Sequence, residues 1–488
     1  MAASEGRRAR PSLSRFRTLT GRLLPTLLCA AAVLAQPAAR ANDRTDFEAD
    51  PEARKLEEVD RQRAAKMKRL GEAAEKVRGL RLRSDPPWLI KSPREVYHFM
   101  LRSIHAEAGP REVALATQLY ATFGFWKPDF DLLAAQLEAT SGAVRAFYNG
   151  GENDFTLVRE PGQTAVPRGM AAEEEAEVVH EYTHALQAHN GLMDRLAMAG
   201  PNDRSQAARA LAEGDAVLAM CAYLAGRTGE GEVSGAAPGA AELGSYLGLI
   251  RMGMASTLRT PEFRKHPPIV GASLIFSYTG GSGLAEAAYK KGGWKEIDRC
   301  YRTPPISTEQ IIHPEKYLRP VPEDPVDIEM PDIHAELLPG AQIVDVDALG
   351  EMEITVLLAG FVPAAEARRS AAGWGGEMYA AFERTAGPRK GEMALVWLTS
   401  WDTEDDAKEF FGSYAKALDG KCGVERRVVK TGELLDWRGA GAKAEARLER
   451  RGDAVLSVER ADEAETAKLA DYFWSLKRRA PEPRHREP

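Results

Sequence analysis

The sequence predicts an α+β protein in two parts: a mainly helical domain with a short sheet, followed by a smaller α+β domain. Three observations carry that expectation. Segments of helical period opened by capping signals dominate residues 86–325, apolar stretches of strand period appear after residue 335, and the Pro-rich stretch Pro320 to Pro331 lies between them. A length of 488 residues exceeds one typical domain, and 44% apolar with 28% charged residues is ordinary globular composition.

Residues 1–41 read as a secretory signal. Arg7, Arg8, Arg10, Arg15, Arg17 and Arg22 form a basic region, Leu23 to Ala35 an apolar core, and Ala39-Arg40-Ala41 an A-x-A cleavage site before Asn42. The 13-residue core is too short to span a bilayer, and no later stretch approaches the roughly 20 apolar residues a membrane helix needs. The expected mature chain is exported, periplasmic or extracellular, without a transmembrane segment. Cys29 sits in mid-core behind Leu28, which argues against a lipoprotein. Cleavage leaves 58 Lys+Arg against 71 Asp+Glu, a formal charge of −13, so nucleic acid is not an expected partner. It also leaves Cys221, Cys300 and Cys422 with no C-x-x-C pair, which favours buried free thiols.

Residues 42–85 form a charged lead segment in which Leu56, Val59, Met67, Leu70 and Val77 predict an exposed or peripheral helix. The first domain, 86–325, opens at Ser92-Pro93-Arg94-Glu95, where Ser at the N-cap, Pro at N1 and Glu at N3 make a capping box. Helices are expected from Pro110 and from Pro128. Ala146 to Val158, broken by Asn149-Gly150-Gly151, predicts a strand pair, and a long helix runs from about Ala171 to Ala188 before Asn190-Gly191. In the second domain, 335–477, the alternation of Met352, Ile354, Val356 and Leu358 predicts a strand. Met393 to Trp401 predicts another, with a helix capped by Asp402 or Thr403 through Leu418. Arg451-Gly452-Asp453 reads as a hairpin turn, Ala461 to Leu476 as a closing helix, and Arg478 to Pro488 as a disordered tail. Trp397, Phe410 and Phe411 read as core.

The long helix carries His180-Glu181-Tyr182-Thr183-His184, an H-E-x-x-H. Two imidazoles four residues apart face one side of a helix and can hold one zinc ion, while Glu181 can reach water at the metal. A chance match in a chain of this length has a probability on the order of 1 in 100. A metzincin would continue H-x-x-G-x-x-H, but here the run is His184-Ala185-Leu186-Gln187-Ala188-His189, so that branch is excluded. Gluzincins take a Glu from a following helix, and Glu213, 29 residues after His184, is the expected third ligand. The competing reading is an exposed Arg209–Glu213 ion pair at i,i+4. Gly214 favours the ligand, because close approach of another backbone would justify a glycine inside a helix.

His180 to Gln187, Ala212-Glu213-Gly214-Asp215-Ala216, and Ser307-Thr308-Glu309-Gln310 with His313-Pro314-Glu315-Lys316-Tyr317 together resemble a little-characterised group of bacterial and archaeal gluzincin-like metallopeptidases. The likeness extends to Ala371 through Gly376 and to Trp401-Asp402-Thr403. It implies a zincin-like catalytic domain and one Zn2+ per chain on His180, His184 and Glu213. It further implies hydrolysis of a peptide or protein substrate by zinc-activated water, with Glu181 as general base. His313 and Tyr317 are the expected stabilisers of the anionic intermediate, with Tyr278 behind them. The Asp that orients a histidine in thermolysin-like members is replaced by Val217, and Asp215 points about 200° around the helix from Glu213. Phe147 to Val158 is the expected sheet edge for an extended peptide. Two alternatives stand beside this: an inactive zinc-binding cell-envelope scaffold, and a zinc amidase acting on cell-wall peptide.

Overall fold

The computed structural model describes residues 60–159, 170–196, 201–234, 237–329, 337–438 and 445–486. The predicted signal peptide, Cys29, Leu56 and Val59 lie outside them. Helices and sheets segregate as the sequence predicts, into a helical domain and a sheet domain.

The helical domain begins with α1 (Asp60–Arg78), and here the expectation of an exposed or peripheral helix is corrected. Met67, Leu70, Ala73 and Ala74 are buried in one cluster with Val178, Tyr182 and Ala185. A Cβ at Gly71 would lie 2.9 Å from the Tyr182 ring. The polar background misleads because two of its cations are themselves buried, Lys66 against Glu175 and Arg78 against Asp215.

After β1 (Trp88–Lys91), α2 (Pro93–Glu107) starts at the expected capping box: Ser92 accepts from the Glu95 amide, and Glu95 accepts from the Ser92 amide at 2.7 Å. α3 (Pro110–Phe123) follows as expected. α4 (Leu132–Ala143) begins later than Pro128, because Asp131 caps it by accepting from the Ala134 amide. β2 (Ala146–Asn149) and β3 (Asp154–Val158) form the predicted hairpin. β1 pairs parallel to β3, so β3 is the central strand and β2 a free edge. The long helix α5 (Ala172–His189) is capped by Glu174 on the Ala171 amide and stops before Gly191 at φ +67°. Behind it lie α6 (Asn202–Gly226), α7 (Ala240–Thr257), α8 (Pro268–Gly292), α9 (Trp294–Arg302) and α10 (Thr308–Ile312).

The sheet domain has β4 (Asp327–Glu329) at its entrance, then β5 (Ala341–Asp347), α11 (Gly350–Ala359), α12 (Ala364–Ala371), β6 (Trp374–Arg384), β7 (Met393–Trp401) and α13 (Glu404–Cys422). It continues with β8 (Arg427–Lys430), β9 (Leu434–Trp437), β10 (Ala446–Arg451), β11 (Ala454–Glu459), α14 (Glu463–Trp474) and β12 (Lys477–Arg479). Seven strands pair antiparallel in the order β8-β9-β10-β11-β7-β6-β5. Thr403 caps α13, and Gly452 turns the β10–β11 hairpin at φ +59°.

The strand expected at Met352–Leu358 is a helix, α11. Its alternation counted Glu351 and Glu353 as outward-facing, yet both are buried by partners from elsewhere, so the helix is enclosed nearly all round and shows no helical stripe. One face of the sheet is shared between the domains: Phe123 of α3 meets Tyr379 and Trp397 edge-on at 5.1 and 5.4 Å, beside Phe410 and Tyr414 of α13. The opposite face is covered by Leu469 and Phe473 of α14.

The expected disordered tail is also corrected. β12 pairs antiparallel with β4, Arg484 forks onto Asp324, and Arg486 is buried against Glu296, Cys300 and the Tyr317 ring. Its arginines look solvated in sequence, but Arg484 and Arg486 each meet a carboxylate of the first domain, and Arg478 meets Asp453 of the second. Cys221, Cys300 and Cys422 are buried free thiols.

Candidate metal centre

The helical period of α5 puts His180, Glu181 and His184 on one face, and α6 crosses that face at Glu213. α6 in turn meets α8 glycine against glycine. A Cβ at Gly214 would fall 2.1 Å from the Gly281 carbonyl oxygen, and one at Gly281 would fall 1.9 Å from that of Ala210. This is the close backbone approach anticipated for Gly214, and it sets the depth at which Glu213 enters the site.

His180, His184 and Glu213 are brought together. His180 Nε2 and His184 Nε2 lie 3.1 Å apart, and they lie 3.2 and 3.4 Å from Glu213 Oε2. All three residues are buried, and among the described residues they form the one group able to hold a metal ion. Ligands at 2.0–2.1 Å around a tetrahedral ion lie roughly 3.4 Å from one another, so the spacing suits a single metal ion without rearrangement. The Glu213 carboxylate faces the imidazoles on a buried helix, and the reading as an exposed pair with Arg209 falls away. Its two oxygens are buried and meet no donor beyond the two imidazole nitrogens that face them. Lone pairs converging in this way cost free energy unless a proton or a cation lies between them.

The electrostatics state the same need. Burial alone would raise the Glu213 carboxyl, yet the charge of His184 and hydrogen bonds to both imidazoles hold it down at about 2. His184 is pushed up to about 9, its burial outweighed by Glu213, while burial pulls His180 down. Glu181 lies beside them, and burial pushes it up to about 8. Its Oε2 accepts the Tyr148 backbone amide at 2.9 Å, a donor on the free side of edge strand β2.

The expected stabilisers are placed elsewhere. Tyr317 is fully buried, its hydroxyl donating to the Thr303 carbonyl at 2.7 Å and its ring under Arg486. His313 pairs with Glu351 at 3.1 Å in the seam between the domains, which raises its pKa. The two are neighbours in one motif, but the turn between α10 and the following residues commits both to other partners. Tyr278 of α8 is the aromatic at the cluster: its ring stacks on His180 with centroids 5.9 Å apart, and it is half-buried. The peptide edge narrows: Thr156 and Val158 are on central β3, and within Phe147 to Val158 it is β2 that lies at an edge of the sheet. Sequence reading passed over Gln187, whose side chain lies 2.9 Å from His184 Nδ1. Its spacing of three residues from His184 was the available signal.

Residues 338–470, essentially the sheet domain, match the model of a family described as a domain of unknown function, DUF8575. No curated protein and no solved structure matches the chain. No helix among the described residues is long and apolar enough to cross a membrane.

Proposed function

We propose that the chain is an exported zinc-dependent peptidase with His180, His184 and Glu213 as ligands and Glu181 as general base. The observation that carries this reading is the set of three buried donor atoms 3.1–3.4 Å apart, with Glu181 on the same helix face. Two imidazoles and one carboxylate are a ligand set that leaves a fourth position open. When bound, zinc supplies a Lewis acid for the scissile carbonyl and brings the pKa of water toward neutrality.

The chain's own residues supply the rest. Glu181, buried on the same helix face as the ligands, takes a proton from the attacking water and returns it to the leaving amine. The free edge of β2 ends beside Glu181, so an extended peptide paired along Ala146–Asn149 would bring its backbone to the general base. Tyr278 takes the oxyanion role first expected of His313 and Tyr317, since it borders His180. The N-terminal signal supports export, and the acidic mature chain supports a peptide rather than a nucleic-acid substrate.

The test compares wild type with Glu181→Gln on a peptide library. The variant is expected to keep its zinc and lose at least about 1,000-fold in kcat/KM, the scale of a lost general base. Retained turnover would remove Glu181 from the chemistry.

A further inference from the structure

His184 turns one nitrogen toward the metal cluster and the other toward a buried chain of groups that the motif does not contain. Nδ1 lies 2.9 Å from Gln187 Oε1, and Gln187 Nε2 donates to the Ala212 carbonyl at 2.9 Å and to Asp215 Oδ2 at 3.1 Å. Asp215 also accepts from Arg78 Nε at 2.7 Å and from the Tyr301 hydroxyl at 3.0 Å. Arg78 donates to Asp298 at 2.6 Å and lies over the Trp294 ring. Gln187, Asp215 and Tyr301 are wholly buried, and Arg78 is 1% exposed.

The chemistry of these groups fixes the direction of each bond. A guanidinium only donates, so the Asp215 carboxylate accepts from it; a carboxylate and a backbone carbonyl only accept, so the amide nitrogen of Gln187 must face Asp215 and Ala212. Its oxygen is thereby turned to His184. An oxygen there requires the hydrogen on Nδ1, which leaves the Nε2 lone pair pointing at Glu213 and His180. Asp215 thus reaches the histidine through an intervening amide, although its own position on α6 faces away from Glu213.

We infer that Gln187, Asp215 and Arg78 are a positioning relay that fixes which nitrogen of His184 is offered to a metal, making α1 a working part of the centre although it supplies no ligand. The inference rests on the metal reading above. Residues paired with a ligating histidine commonly carry a 10–100-fold share of metal affinity.

Zinc affinity, measured by competition with a chromophoric chelator on the full chain, decides it alongside thermal melting of each metal-free variant. Gln187→Met, of similar volume and unable to hydrogen-bond in this way, is expected to bind zinc about 10–100-fold more weakly. Gln187→Glu restores the order of protons if its carboxyl is neutral, with O–H toward Asp215 and C=O toward His184. It is expected within about threefold of wild type. Arg78→Met should also lose about tenfold, and if that variant fails to fold the Gln187 pair still decides. Wild-type affinity in Gln187→Met, or equal losses in Met and Glu, would overturn the relay while leaving the metal site standing. A wild-type chain that binds no zinc would overturn the relay together with the metal reading beneath it.

Discussion

The middle of α6 and its first turn stand among buried carboxylates in opposite states. Around Glu213 the partners are imidazoles, and the carboxyl is held down at about 2. Eleven residues earlier, about 16 Å along the helix, its first turn enters the seam between the domains. There Glu353 accepts from Asn202, Gln206 and Tyr120 at 2.8–2.9 Å, and Asp203 accepts from the Thr308 amide. Glu377 accepts from the Gly350 amide and Trp397. The donors to Glu353, Glu377 and Asp203 are neutral groups. Burial accordingly pushes Glu353 and Glu377 up to about 7 and holds Asp203 well above the ordinary aspartate value. The middle of the helix is built to receive a cation, and its first turn is satisfied by neutral donors and by protons. A cluster of buried acids is therefore not itself a sign of a metal site; the partners decide.

The comparison breaks most severely at the glycine contact. Gly214→Ala would drive a Cβ into the Gly281 carbonyl, and helices in backbone contact cannot yield as a flexible side chain does. The expected loss is about 3 kcal/mol of stability by denaturant unfolding, with zinc binding reduced. Wild-type stability would mean that α6 and α8 are not held at this spacing.

A smaller effect sharpens the other end. Glu353 and Glu377 bind protons more tightly folded than in the unfolded chain, whose glutamates titrate near 4.5. Their favourable contribution is fully present below about pH 4.5 and is lost as pH rises through about 7. The slope is at most roughly 1.4 kcal/mol per pH unit for each group. Melting temperatures from pH 5 to 8 should fall in wild type, and Glu377→Gln should fall less steeply. An unchanged slope in the variant would place the pH dependence elsewhere.

How much of this was legible in sequence follows from the range of each cause. The H-E-x-x-H helix, the capping box at Ser92, the hairpin and Gly214 were readable because local chemistry or a single close contact determines them. The burial of α1, the helicity of α11 and the docking of Arg484 and Arg486 were not, because each depends on a carboxylate or donor more than 100 residues away. His313 and Tyr317 show the same limit from the opposite side: neighbours in a motif, they are spent on Glu351 and Thr303. Gln187 was within reach, three residues past a ligand on the same helix face.

The central claim is that two imidazoles and Glu213 hold one zinc ion, and zinc stoichiometry by elemental mass spectrometry tests it most directly. Wild type and Glu213→Ala are purified side by side. The account predicts about one zinc per chain in wild type and loss of most of it in the variant, as expected when one of three protein ligands is removed. Equal zinc in both proteins would move the third ligand away from Glu213, and none in either would contradict the metal centre itself.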